Sequence, residues 1–366
     1  MRFVITTGGT AGHANPALAV AQELRDLGHE VFFAGTPQGM ESKLIPQEGF
    51  EYKGFEAAGF NRRKPLTLLT GVAKITRSER AASRWLKAIK PQAVVGFGGY
   101  VSIPVGLAAS RLKIPLAIHE QNSTSGMANR FLAKRAQLVA LTYASAAKGF
   151  TTSGQVVLTG NPVRAKLLEV NRADGRAFFG LPADACVLLA FGGSLGATHL
   201  NEALVAQANL LMSFDGLQVL HISGIRDFPN ISARLADIPQ TKGRWHLIEY
   251  CDHMGQAYAA ADAVLCRAGA TTLAEIRALG IPALLVPYPH AAADEQTFNA
   301  MSLVETGAAD MLADRDLDQP LFTQKLTQLV RDEPYRLAMR QHAGESGQTQ
   351  ARQALAQLII ALANPR

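Results

Sequence analysis

Cysteine is scarce in this chain of 366 residues: there are three, an odd number with no C-x-x-C spacing. That excludes a disulfide frame and a zinc ribbon, and Cys186, Cys251 and Cys266 read as reduced thiols. No apolar run approaches the ~18 residues that a transmembrane helix needs. The opening MRFVITTGG offers one arginine and a short apolar run before glycine takes over, so it reads as a first β-strand rather than a secretory leader. Charged residues make up 18% against 48% hydrophobic ones, the balance of a folded globular chain and not of a disordered one. The formal net charge of +6 is modest for this length, so where the basic residues sit matters more than their excess. These absences predict a protein kept in the cytoplasm, able to touch a membrane from that side.

What is present is glycine in the right places. TTGGTAGHANP, Thr6 to Pro16, sets three glycines within five residues directly before His13. RFVITT reads as a strand, GGTAGHA as a loop, and Asn15-Pro16 as an N-cap followed by proline at the first helical position. Ala17, Leu18, Ala21, Leu24 and Leu27 recur at helical spacing, Gly28 ends the helix, and HEVFFAG is the next strand. The same strand–loop–helix unit returns in PQAVVGFGGYVSIPVGLAAS and, after a polar stretch, in CVLLAFGGSLGATHLNEAL and DAVLCRAGATTLAEIRALG. The chain therefore reads as α/β, with two Rossmann-like domains and parallel sheets facing across a cleft, joined near Gly160 to Arg164. The expected domains are 1–162 and 163–348. A last helix within 349–366, capped by Thr349, is expected to pack back on the first domain. In open α/β sheets ligands bind beyond the carboxyl ends of the strands, where both sets of glycine loops fall.

Several chemistries can be weighed from these motifs. A nicotinamide site needs G-x-G-x-x-G and an acid closing the second strand; GGTAGH has the wrong spacing and that strand ends in Ala34-Gly35-Thr36. Gly192-Gly193-Ser194-Leu195-Gly196 fits the G-x-S-x-G of a hydrolase elbow, with Asp262 or Asp294 and His290 downstream, but a serine before a helix is as often a phosphate-binding hydroxyl. Asp316-Leu317-Asp318 could suggest a metal–diphosphate site, yet it precedes Pro320 in a hydrophilic stretch and reads as a solvated loop; no essential metal is expected. His13 is either a loop histidine bonded to a neighbour or a general base whose pKa the following helix lowers. Glu275 is either a glutamate compensating its helix dipole or a carboxylate for a ribose diol. From Asn61 to Lys90 nine basic residues (Arg62, Arg63, Lys64, Lys74, Arg77, Arg80, Arg84, Lys87, Lys90) face a single acid, Glu79. Beside the apolar Pro65–Leu69, that excess suits an anionic lipid surface or lipid-phosphate substrate. With Trp85 as its one aromatic, the stretch does not suit nucleic acid.

Seven motifs in order, GGTAGHANPALAVAQEL, GFGGYVSIP, HEQNSTSGMANR, GNPVR, FGGSLGATHLN, CRAGATTLAEI and Asp294-Glu295-Gln296, resemble the MurG-like glycosyltransferases nearly end to end. That bacterial family adds N-acetylglucosamine to lipid I to make lipid II. The resemblance implies a GT-B fold and an inverting transfer from UDP-GlcNAc to the 4-hydroxyl of the acceptor, with no cofactor. It implies His13 as base with Glu120 assisting, and Thr10, Ala11, Gly12, Gly98, Gly99 and Tyr100 around the acceptor diphosphate. Asn122 would lie near the donor sugar. Ser194 and Arg164 would hold the donor diphosphate, Cys251 would face the uracil, and Ala270, Thr271, Thr272, Leu273, Ala274 and Glu275 would line the nucleotide, with Gln296 on the sugar. The partners so implied are UDP-GlcNAc, lipid I, the anionic inner leaflet of the cytoplasmic membrane through 61–90, and other cell-wall enzymes. The protein would be peripheral, on the cytoplasmic side.

Overall fold

A computed structural model describes residues 1–57, 66–193, 195–345 and 350–364. The chain divides into two compact units, Met1–Arg164 with Gln348–Arg366, and Ala165–Gly347.

The first unit opens with β1 (Arg2–Thr6), α1 (Ala11–Asp26), β2 (Glu30–Gly35), α2 (Glu41–Gln47) and β3 (Glu51–Gly54). It continues through α3 (Leu66–Ile89), β4 (Ala93–Gly96), α4 (Ser102–Arg111) and β5 (Leu116–Glu120). Then come α5 (Met127–Ala133), β6 (Leu138–Leu141) and β7 (Gln155–Leu158). Its seven strands are all parallel, in the order β3-β2-β1-β4-β5-β6-β7. The near-continuous apolar runs of β1, β4 and β5 suit strands covered on both faces. One face carries Leu18, Val20 and Leu24 of α1, the other Val105 and Ala108 of α4 and Leu86 of α3.

The second unit begins with α6 (Ala165–Leu168), α7 (Arg172–Phe179), β8 (Cys186–Phe191), α8 (Thr198–Ala206) and α9 (Ala208–Met212). It runs on through β9 (Leu217–Ile222), α10 (Phe228–Ala236), β10 (Trp245–Ile248), α11 (Met254–Ala260), β11 (Ala263–Cys266) and α12 (Ala270–Leu279). It ends with β12 (Ala283–Leu285), α13 (Glu295–Val304), β13 (Asp310–Met311), α14 (Pro320–Arg331) and α15 (Glu333–Glu345). Six parallel strands lie in the order β10-β9-β8-β11-β12-β13. The chain then returns to the first unit as α16 (Ala351–Ala363), whose Leu355, Ala356 and Ile359 are fully buried in the core around α1. Its expected cap, Thr349, lies outside the described residues.

Each sheet reverses its strand order once, between β1 and β4 in the first unit and between β8 and β11 in the second. Crevices open at such reversals, beyond the carboxyl ends of the strands. Both expected pairs of glycine loops fall there.

One expected boundary is corrected. α1 starts at Ala11, with Thr10 as its N-cap, so Asn15 is not a cap and Pro16 is an interior residue. As the sixth helical residue Pro16 lies just beyond the first turn, so it gives up one helical bond, the one an N–H there would make to the carbonyl of Gly12. His13 therefore belongs to the first turn of the helix rather than to a loop before it.

Candidate functional site

In the first unit the loops after β1 and β4 touch. At Gly99, φ is +80°, and a Cβ there would lie 2.4 Å from the carbonyl oxygen of Gly8. At Gly98, φ is +97°, and a Cβ would stand 3.0 Å from Cδ2 and Nε2 of His13. Only glycine permits both the backbone sign and the approach. Ser102 at the start of α4 donates its hydroxyl to the Gly98 carbonyl at 2.7 Å, fixing that loop from below.

His13 lies 3.1 Å through Nδ1 from the Gly8 carbonyl oxygen and 3.3 Å from Thr10 Oγ1. A carbonyl only accepts, so Nδ1 carries the proton and Nε2, the atom beside Gly98, keeps its lone pair. Burial pushes the imidazole pKa below its ordinary value, against the opposing pull of the Gly8 carbonyl and of Glu41. The direction is the one expected for a base neutral at pH 7. Burial is the largest cause, where the sequence pointed to the helix. Ala11 is absent from the positive-φ residues, so its methyl meets no backbone restriction at the first helical position. Thr10, Ala11, Gly12, His13, Gly98, Gly99 and Tyr100 thus gather at one switch point.

Glu120 ends β5 fully buried, and its carboxylate is spoken for. Oε1 accepts from the Asn122 N–H at 3.2 Å, and Oε2 from the Gly126 N–H and Asn129 Nδ2, each at 2.9 Å. The Asn122 side chain bonds it as well. Burial outweighs these donors and raises its pKa. Glu120 and Asn122 are therefore engaged with each other, organising the loop between β5 and α5.

Arg164 departs from expectation. It groups with the first unit, not the second, and its Nη1 lies 3.7 Å from Glu48 Oε1 on α2. Sequence reading also missed Glu41, fully buried at the start of α2, which accepts from Thr36 N–H at 3.0 Å and Gly9 N–H at 3.3 Å. Its signal, an acid in a first helical turn, is too ordinary to single out.

In the second unit the loop after β8, Gly192 to Ala197, leads into α8, and the loop after β11 leads into α12 at Ala270. Ser194 itself lies outside the described residues. Glu275 is buried on α12, where its Oε2 accepts from the hydroxyl of Tyr258 at 2.8 Å. Burial beside this carboxylate pushes the Tyr258 pKa well up, so the phenol stays a donor. Its ring packs edge-on against Phe191 at the end of β8, with centroids 5.9 Å apart. Leu273 points into the core and Ala270, Thr271, Thr272 and Ala274 line the first turns of the helix. Gln296 Oε1 accepts from the N–H groups of Ala268 at 3.1 Å and Tyr288 at 2.9 Å, which orients its amide so that NH2 is the end offered to other partners. Cys251, half-buried, follows β10 two strands from β8 at the same sheet edge.

Asp262 and the Asp316-Leu317-Asp318 segment can be placed in the structure. Asp262 precedes β11 and accepts from the Val187 N–H at 2.8 Å and from Arg176 at 2.7 Å. It therefore lies at the amino edge of the sheet, opposite the loop that would hold a nucleophile. In the 314–318 segment Leu317 is buried in the core and Asp318 meets His199 Nε2 at 3.0 Å. Among the described residues no group of three or more His, Cys, Asp or Glu is placed to hold a metal ion, and no helix is long and apolar enough to cross a membrane.

Residues 3–141 match the Glycosyltransferase family 28 N-terminal domain and residues 187–358 its C-terminal domain. A UDP-N-acetylglucosamine–N-acetylmuramyl-(pentapeptide) pyrophosphoryl-undecaprenol N-acetylglucosamine transferase from Halothermothrix orenii is 38% identical, over 98% of this chain and 98% of its own length. A Lacticaseibacillus casei protein of the same name is 38% identical over the full length of both. The crystal structure of Acinetobacter baumannii MurG superposes with a TM-score of 0.72 at 32% identity, covering 98% and 99% of the two chains. The chain belongs to the MurG family. Its two parallel sheets are those of the GT-B fold that MurG-family enzymes have. A UDP-GlcNAc 2-epimerase from Neisseria meningitidis shares that fold, with a TM-score of 0.67 at 17% identity and coverage of 98% and 100%.

Proposed function

We propose that this chain is an inverting glycosyltransferase that moves GlcNAc from UDP-GlcNAc to the 4-hydroxyl of the MurNAc of undecaprenyl-pyrophosphoryl-MurNAc-pentapeptide, lipid I, forming the β-1,4 linkage of lipid II and releasing UDP. The observation that carries it is His13, bonded through Nδ1 to the Gly8 carbonyl at the switch point of the first sheet, in a chain 38% identical over 98% of its length to an enzyme of that name.

In this reading the first unit takes the acceptor, its diphosphate lying against Thr10 to Gly12 and Gly98 to Tyr100. The second unit takes the donor. Glu275, oriented by Tyr258, receives the ribose diol, Gln296 offers its amide to the sugar, and the backbone at Cys251 faces the uracil. Ser194 and the first turn of α8 face the donor diphosphate. His13 Nε2 removes the proton from the acceptor hydroxyl as its oxygen attacks the anomeric carbon. The bond to the UDP oxygen breaks with its electron pair, and the carbon inverts. The charge gathering on UDP is met by preorganised N–H groups at helix starts rather than by an essential metal. The basic and apolar segment 61–90 lays the enzyme on the cytoplasmic leaflet, where a polyprenyl-linked acceptor resides.

The test is transfer of labelled GlcNAc to a lipid I analogue with EDTA present. Wild-type protein is expected to be active and His13→Ala to fall by roughly 10²–10⁴-fold, the usual contribution of a general base. Folded wild-type protein that binds UDP-GlcNAc without transferring it would instead favour an epimerase or a binding protein.

A further inference from the structure

The peptide between Gly8 and Gly9 has a bond at each end. Its carbonyl accepts from His13 Nδ1 at 3.1 Å, and its N–H donates to Glu41 Oε2 at 3.3 Å. The sequence carboxylate, peptide group, imidazole is therefore continuous. We infer that Glu41 is the positioning residue for His13, acting through the Gly8–Gly9 peptide as the carboxylate of a catalytic triad acts on its histidine directly. The inference rests on the reading of His13 as the base.

Three features support it. First, the carboxylate is buried and doubly anchored: Oε1 accepts from the Thr36 N–H at 3.0 Å and from the Thr36 hydroxyl at 2.6 Å, which leaves Oε2 to the glycine loop. Second, the fold makes room for it. A Cβ on Gly39 would fall 2.2 Å from Oε2, and one on Gly8 3.1 Å from Oε1. Third, a peptide that donates to an anion has a more negative carbonyl oxygen, since hydrogen bonds in a chain polarise one another. That oxygen then holds the Nδ1 proton harder and makes Nε2 more basic, the electrostatic role an aspartate plays in a triad.

The other charged groups packed around α1 are occupied or remote. Tyr52 on β3 donates to the Thr36 carbonyl at 2.6 Å, and burial beside Glu41 keeps it protonated. Glu48 of α2 pairs with Arg164, Lys43 is exposed, Arg352 of α16 pairs with Glu23, and Arg2 of β1 pairs with Glu30. Glu41 is the acid whose charge reaches His13.

The experiment follows the His13 ring nitrogens by NMR titration of the full chain, together with the pH–rate profile, in wild type, Glu41→Gln and Thr36→Val. In Glu41→Gln the His13 titration and the acid limb of the rate profile should move down by about 1 pH unit. Its kcat should fall roughly 10–100-fold, part of what a general base supplies, with KM for UDP-GlcNAc unchanged. Thr36→Val keeps the charge and loosens the anchor, so it should cost stability and leave the titration in place. An unmoved titration in Glu41→Gln, or an equal shift in both variants, overturns the relay. If Glu41→Gln does not fold, wild type decides alone: the Gly9 amide proton must shift with the protonation of His13, and its failure to do so overturns the relay. Full activity in His13→Ala overturns the catalytic reading on which the relay rests, a result the titration cannot mimic.

Discussion

Two histidines are held neutral inside the sheets. His119 on β5 donates from Nε2 to the Gly160 carbonyl at 3.0 Å and accepts at Nδ1 from Gln121. His221 on β9 meets Asn201 Oδ1 at 3.0 Å. Burial lowers both to about 4, against an ordinary value of 6.5. Unfolded chains therefore bind these protons first as the pH falls, and stability is lost between pH 6.5 and about 4. The slope is roughly 1.4 kcal/mol per pH unit for each histidine. Melting curves across that window should show the decline, and His119→Gln, which takes no proton, should flatten it; an unchanged slope would refute the assignment. At this scale the place of His13 beside the first glycine loop was legible, because Gly8 and Gly9 stop the strand just before its helix. Glu41 was not. The glycines that clear space for it, Gly8 and Gly39, come from different segments, so its cavity exists only once α2 packs beside β1.

On α3 the helical period was enough to separate two faces. Lys74, Arg77, Arg80, Arg84 and Lys87 are exposed, while Ala82, Leu86 and Ile89 are buried. The acid of the stretch behaves differently from a surface charge: Glu79 is buried and pairs with Arg111 of α4 at 3.1 Å, so it does little to offset the exposed stripe. Arg62, Arg63, Lys64 and Pro65 lie outside the described residues. Arg80→Ala with Arg84→Ala should weaken binding to vesicles rich in phosphatidylglycerol by about 30-fold at low salt. Transfer to a water-soluble acceptor should not change. Equal vesicle binding by the double variant would show that the contact lies elsewhere. The start of α1 was less legible than its end. Proline at position 16 imitates a first turn, whereas Thr10 caps the helix through its extended backbone, with φ −148° and ψ 158°, and no side-chain bond announces it. Gly28, with φ +80°, stops the helix where the sequence placed the stop.

For the molecule as a whole, strand–loop–helix repetition made the fold class readable, because parallel strands buried on both faces are apolar throughout and punctuated by glycine. The position of Arg164 was not readable. Its pairing with Glu48 joins segments with no shared pattern. The homology match to the C-terminal domain runs to residue 358, yet α16 buries Leu355, Ala356 and Ile359 in the first unit. Leu355→Ala should therefore destabilise the first unit by about 2–5 kcal/mol, the cost of a buried leucine. Hydrogen exchange would localise the loss to β1, α1 and β4; protection lost in β8 and β11 instead would contradict the packing.

That returning helix also sets an order of events on the ribosome. The second unit is one continuous stretch and can close as soon as it has emerged. The first unit, made earlier, waits with an apolar groove along α1 until α16 is synthesised. The unit whose strands are made first is thus the last to be finished, because its core stays open until α16 has emerged.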